Sequence, residues 1–414
     1  CLYPFLGLFI KEGEEIKFLF IVYLIFVIKN VISYLNAHKW SLINADQKGY
    51  VLAKYNLIFT VITTASRIVI LKFTKNYILY LLIELLIIII QNIWNGRIVN
   101  TRYSYIKTKE KYDIDLDIKE NLKTNVKAIF LHNIGSYCVF GTDNLLISAL
   151  VSLKAVGLYS NYTMIINQLS GLINPIISSI GASVGNLIAT EDDKKVYEIF
   201  NVTYLINFWI YSLSVIFLYN LLEPFIDLWL GEGLLLGKLT FIIILLNFYL
   251  TGLRKTVSIF KEKGGIFSED KYIPILESII NLGASIILAK RFGLIGIFLG
   301  TTISSIVLPI WIQAKLVYNK LFNKSVSIYF LKYMIYLILT LAAGSICTLL
   351  CNNISVSGLL GLIIKGLICL VIPNIIYFIS LFRTKELKYV INVLKNMLYS
   401  KKFNTFTPKG INQN

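Results

Sequence analysis

The chain has 414 residues, of which 56% are hydrophobic and 15% charged, with a formal net charge of +17 and a mean hydropathy of +0.70. That hydropathy excludes an ordinary water-soluble protein. The basic excess raises nucleic acid as a partner, and its placement along the chain argues for a membrane surface instead.

A membrane-spanning helix needs about 20 mostly apolar residues. In chain order the sequence predicts about eleven such spans: 17–37, 51–73, 76–95, 128–150, 156–188, 199–221, 235–256, 272–290, 294–316, 329–350 and 358–381. The apolar stub Leu2–Ile10 is too short to cross and reads as the end of a truncated helix. If the loop 95–127 is cytoplasmic, so are 38–50, 189–197, 254–271, 315–328 and the tail 383–414. Those segments hold about 28 of the 40 Lys and Arg residues, the opposite side about eight. This is the positive-inside distribution, and it accounts for the net charge without a nucleic-acid motif.

Ionisable side chains inside spans are costly and mark function by default. Lys29 lies deep in the first full span. In the second, Asn56, Thr60, Thr63 and Arg67 follow steps of four, three and four and share one helix face. Such a stripe belongs against a neighbour or a water-filled cavity. An arginine there either grips an anion through its planar fork of donors or closes a buried ion pair, with Glu84 of the third span as the available partner. In 128–150, Asn133, Ser136, Phe140 and Asp143 share a face. A carboxylate taken out of water gains from binding a proton or a cation, so Asp143 and Glu84 are candidates for ion coupling; the alternative for Asp143 is a buried cationic partner. The span 156–188 carries Asn167 and Asn174 among small residues, with Pro175 free to bend it. Arg254 closes the span 235–256. The longest outward loop is predicted at 222–234, with Glu223, Asp227 and Glu232.

The five cysteines form no C-x-x-C pair and read as small buried hydrophobes. His38 and His132 lack metal-ligand spacing. No nucleophile–base pair or carboxylate cluster offers a seat for catalysis, so neither an enzyme nor a cofactor or metal is expected.

The mixed-charge stretch from Asn95 to Lys127 reads as a linker between bundles. The expected organisation is a truncated N-terminal bundle (1–95), a cytoplasmic linker (96–127), a C-terminal bundle (128–318), two additional helices (319–382) and a basic tail (383–414). Ile43-Asn-Ala-Asp-Gln-Lys48 and Ile266-Phe-Ser-Glu-Asp-Lys271 head corresponding spans, as in transporters built from repeats.

Several stretches together resemble the polysaccharide-transporter family, the Wzx-type flippases of lipid-linked oligosaccharides within the multidrug/oligosaccharidyl-lipid/polysaccharide exporter superfamily. They are Ser41–Tyr50, Phe140-Gly-Thr-Asp-Asn144, Val156-Gly-Leu-Tyr-Ser-Asn161, Ser183-Val-Gly-Asn-Leu187, Leu228-Trp-Leu-Gly231, Gly265–Tyr272 and Gly293–Thr301. The resemblance implies an all-α membrane fold of two pseudo-symmetric six-helix bundles around a central cavity plus two C-terminal helices. It implies that a polyprenyl-pyrophosphate-linked glycan is moved from the cytoplasmic to the outer leaflet by alternating access. Arg67, Lys29 and Arg254 are then the candidates to meet the pyrophosphate, and Asn56, Thr60, Thr63, Asn167 and Asn174 to line its cavity. The expected surroundings are a bacterial inner membrane, membrane lipids, polymerase machinery as partner, and a cytoplasmic tail. A cation-coupled drug exporter of the same superfamily is the alternative, followed by a membrane polysaccharide polymerase or glycosyltransferase. The peptidoglycan-precursor flippases are a further relative, less similar around Asp143 and Lys271.

Overall fold

The computed structural model describes residues 18–107 apart from 47 and 49, scattered positions between 115 and 130, and 141–404 apart from 267 and 268. The stub 2–10 and the Asn133–Ser136–Phe140 face lie outside the described residues. Every regular element among the described residues is helical, and the chain divides into two compact units, 1–120 and 121–414.

In the first unit, α1 (Leu19–Tyr34) and α2 (Ala37–Ala45) meet at a 43° bend. α3 (Tyr50–Thr74) and α4 (Tyr77–Arg102) form a hairpin. Its turn is set by Lys75 at φ 50° and by Asn76, whose side chain accepts from the amides of Ile78 and Leu79 at 3.0 and 3.1 Å. That cap satisfies two of the orphan donors at the start of α4. α4 continues two turns past Asn95, where the sequence predicts its end. Val99 and Tyr103 still pack there against Ile43 and Leu52, and that burial keeps the helix going.

The second unit runs α5 (Asp143–Leu150), α6 (Leu153–Thr190), α7 (Asp193–Leu230), α8 (Lys238–Lys263), α9 (Ile273–Phe292), α10 (Leu294–Val307), α11 (Pro309–Leu321), α12 (Ser327–Asn352), α13 (Gly358–Leu381) and α14 (Lys385–Asn404). Ser152 caps α6 through Ala155 N, and Asp192 caps α7 through Lys195 N. α6 and α7 each have 38 residues. That is about 57 Å at 1.5 Å per residue, longer than the ~30 Å hydrocarbon core of a membrane. The predicted loop 222–234 is therefore corrected. α7 runs through Pro224 to Leu230, because Ile226 is fully buried and holds those turns to the core; the chain turns only at Gly231.

Close helix approach shapes the α9–α10 hairpin. Gly293 turns the chain at φ 60°, and a Cβ on Gly296 would stand 2.3 Å from the Leu288 carbonyl, one on Gly300 2.2 Å from Ser285 Oγ. Asn281 and Ser285 then reach Thr301 Oγ1 and the Ile297 carbonyl at 3.0 and 2.9 Å. α12 and α13 are tied to α7 by an aromatic core in which Phe208 stacks on Tyr336 at 4.1 Å. Thr340 bridges Ser212 and the Tyr249 hydroxyl at 2.8 and 2.9 Å, Ser212 also meets Tyr377, and Trp209 Nε1 donates to Asn374 at 2.7 Å.

Among the described residues eight helices are long and apolar enough to cross a membrane, and a ninth if α1 and α2 count as one bent span. Only 6% of the apolar stretch of α3 is buried, against 56% for α7. A helix as apolar and as uncovered as α3 suits lipid, which solvates what water would not.

The two echoing loops are anchored alike. Asp46 accepts from the Tyr103 hydroxyl at 2.6 Å and pairs with Lys48 at 2.7 Å, and these two contacts, Lys48 foremost, hold its carboxyl below the usual range. Glu269 pairs with Lys320. In each unit the acidic residue of the loop is tied to a position later in the chain, Asp46 to Tyr103 just past α4 and Glu269 to Lys320 on α11.

Candidate functional site

Three of the predicted residues meet inside the first unit. α1 brings Lys29, α3 brings Arg67 and α4 brings Glu84 to one point. Lys29 Nζ lies 2.6 Å from Glu84 Oε1, and Arg67 Nη2 contacts the same oxygen. The Glu84 side chain is 9% exposed and that of Lys29 14%, while Arg67 keeps 35%. One carboxylate thus serves two cations, and the cluster carries one net positive charge. Its open side belongs to Arg67, whose guanidinium lies 5.3 Å from the Tyr80 ring centre and whose buried Nε has no hydrogen-bond partner among the described residues. The sequence left anion grip and ion pair open for Arg67. The ion pair is what forms, and Lys29 joins it as a second cation.

The rest of the stripe on α3 divides. Thr60 and Thr63 donate to the carbonyls of Asn56 and Phe59 within their own helix, at 2.8 and 2.7 Å, so their donors are already used. Asn56 faces α4, where Gln91 and Asn95 donate to its Oδ1 at 3.0 and 2.7 Å. Sequence reasoning missed Gln91 and Asn95, although their four-residue spacing on one face of α4 was there to read.

In the second unit the predicted residues do not form one cluster. Arg254 is paired with Glu277 of α9 at 3.5 Å. Asn174 accepts from Lys255 Nζ at 2.5 Å and from the Tyr211 hydroxyl at 3.4 Å, while Asn167 is exposed. Asp143 begins α5, is 7% exposed, and its Oδ1 has no hydrogen-bond partner; among the described residues no Lys or Arg pairs with it. Lys261 and Asp270 form a fully enclosed pair that the sequence did not single out. Cys347, Cys351 and Cys369 gather as buried free thiols between α12 and α13, with Cys351 and Cys369 sulfurs 4.0 Å apart. Among the described residues no group of three His, Cys, Asp or Glu side chains is placed to hold a metal ion.

An all-α bundle of membrane-length helices, with charges paired inside it, defines a polytopic membrane protein. No protein-family profile matches the sequence, and no curated protein is detectably similar to it. Among solved structures the chain is similar to a lipid II flippase MurJ in an inward closed conformation. The TM-score is 0.61 at 15% identity, over 84% of this chain and 71% of that one. At that identity the likeness is one of fold, and the all-α membrane fold expected from the sequence is the fold observed.

Proposed function

We propose that the protein is a flippase that carries a polyprenyl-pyrophosphate-linked oligosaccharide from the cytoplasmic to the outer leaflet of a bacterial inner membrane by alternating access. The observation that supports this most is the Lys29–Glu84–Arg67 cluster, a net positive charge kept among membrane helices in a chain with a flippase's fold. Such a charge is expensive to maintain and suits a pyrophosphate. Glu84 neutralises one cation while the site is empty. Because Glu84 holds both cations, it is the coupling candidate of this unit. Asp143 is the second coupling candidate, and Arg254 with Asn174 and Asn167 would serve the cargo from the other unit.

The test is depletion of the protein in its host, with polyprenyl-pyrophosphate glycans quantified in each leaflet. A complete repeat unit accumulating on the cytoplasmic side, relieved by the wild type and not by Arg67→Ala or Lys29→Ala, supports the reading. An unchanged lipid-linked pool with polymer still made refutes it and favours drug export. A repeat that is flipped but left unpolymerised points to a polymerase.

The likeness to a lipid II flippase favours a second cargo, a peptidoglycan precursor. Accumulation of that precursor in the same lipid extracts, with the polysaccharide repeat unchanged, decides for it.

A further inference from the structure

The first unit holds a cavity of about 360 Å³, near the lower end of the ~300–1,000 Å³ range of ligand pockets. Its polar lining is Ser33, Trp40, Asn56, Gln91, Asn92 and Asn95, and no charged side chain lines it. The carboxamides are held by one another. Asn56 Oδ1 takes donors from Gln91 and Asn95, Asn36 donates to Asn92 Oδ1, and Asn92 Nδ2 donates to the Ile32 carbonyl at 2.9 Å. Because Asn95 must turn its Nδ2 toward Asn56, its Oδ1 is left buried with no partner among the described residues, on a residue only 5% exposed. An unpaired amide oxygen in such a place is costly unless something donates to it. α2, set off from α1 by the 43° bend, carries Trp40, which forms one wall.

We propose that this cavity is a subsite for one neutral pyranose ring. Fixed carboxamides offer donors and acceptors together, which matches vicinal hydroxyls. An indole face takes the apolar C–H side of the same ring. A lipid chain would leave Asn95 Oδ1 unpaired, and a uronic acid or phosphate would bury its charge with no cation beside it. The cavity lies about three turns of α3 from Arg67, ~16 Å at 1.5 Å per residue, so it is separate from the charge cluster. The proposal rests on the flippase reading for the source of the sugar, as part of the glycan on the lipid carrier. It adds which residues select that glycan and that the selected ring is uncharged.

The experiment is saturation-transfer NMR on the full chain in lipid nanodiscs, with glucose, galactose, N-acetylglucosamine and glucuronate as millimolar probes. At least one neutral sugar receives transfer and glucuronate does not. Binding weakens at least tenfold in Trp40→Leu and Asn95→Leu, and it survives in Trp40→Phe and in Trp94→Leu, an exposed residue outside the cavity. Asn56→Asp keeps the acceptor that Gln91 and Asn95 need, so the fold holds, and it too weakens the neutral sugar. Absence of transfer from every neutral sugar, equal transfer from glucuronate, or wild-type binding by both Trp40→Leu and Asn56→Asp overturns the proposal. Glycan export with no sugar binding defeats the subsite alone. Sugar binding with no change in the lipid-linked pool on depletion defeats the flippase reading alone.

Discussion

Glu84→Gln removes the one negative charge shared by Lys29 and Arg67. Both cations contact the same carboxylate oxygen, which puts them no more than about 5 Å apart. At an effective dielectric of about 20 their repulsion is about 3 kcal/mol, where the native cluster has two attractive pairs. Breaking a buried pair by removing one partner costs about 3–5 kcal/mol. Arg67 is a third exposed, so water screens its share, and we expect a loss of about 2–4 kcal/mol from the first unit. Lys29→Met and Arg67→Met each leave a neutral pair behind and should cost clearly less. Adding Lys29→Met to Glu84→Gln should restore part of the loss, because one repelling charge goes. The assay is a double-mutant cycle by reversible denaturant titration of the purified protein. Glu84→Gln at wild-type stability, or a double variant no better than Glu84→Gln alone, would refute the reasoning.

Asp143→Asn removes a buried carboxylate that among the described residues has no cationic partner; it should leave stability equal or raised and abolish any pH or sodium dependence of transport, measured in proteoliposomes across an imposed gradient. Gly300→Ala places a Cβ against Ser285 where the backbone cannot yield, and overpacking of this kind costs about 1–3 kcal/mol; a thermal scan showing no loss would contradict the α9–α10 contact. Glu386 is partly buried, which favours its neutral form, yet its hydrogen bond with Lys332 at 2.6 Å prevails and holds its carboxyl below the ordinary range. A lowered folded-state pKa contributes stability above the unfolded value of about 4.3, lost as pH falls through the folded one. Hydrogen exchange in α14 should therefore quicken below about pH 4, and Lys332→Met should bring the same quickening to neutral pH.

The spans were legible because membrane helices announce themselves by length and hydropathy alone. The predicted spans that fall on described residues are helical, 294–316 being divided into α10 and α11, while 128–150 lies largely outside the described residues; the other errors fall at ends. α4 and α7 run on past Asn95 and Leu221, since a helix stops where burial stops supporting it, and Val99 and Ile226 lie beyond the polar residues that looked like boundaries. The site was legible in part. The period of α3 put Asn56, Thr60, Thr63 and Arg67 on one face, but only packing reveals that the threonines spend their hydroxyls on their own helix and that Lys29 joins Glu84. Arg254–Glu277 and Lys261–Asp270 were opaque because their partners come from other elements, and no periodicity links one helix to the next.

The distribution of ion pairs bears on how such a protein could move. Lys29, Arg67 and Glu84 all belong to the first unit, while Arg254–Glu277, Lys261–Asp270 and Lys332–Glu386 all belong to the second. Each unit closes these charges within itself. A rigid-body displacement of either unit would break none of them, so it would incur none of the several-kcal/mol penalties that attend unpairing a buried charge. Transporters built from repeats move in this manner. If a disulfide introduced between α3 and α4 beside Arg67 and Glu84 locked the cluster without stopping export, rearrangement within the unit would be dispensable. Loss of export on that cross-link, restored by reduction, would instead mean that Glu84 must let go of its cations during each cycle.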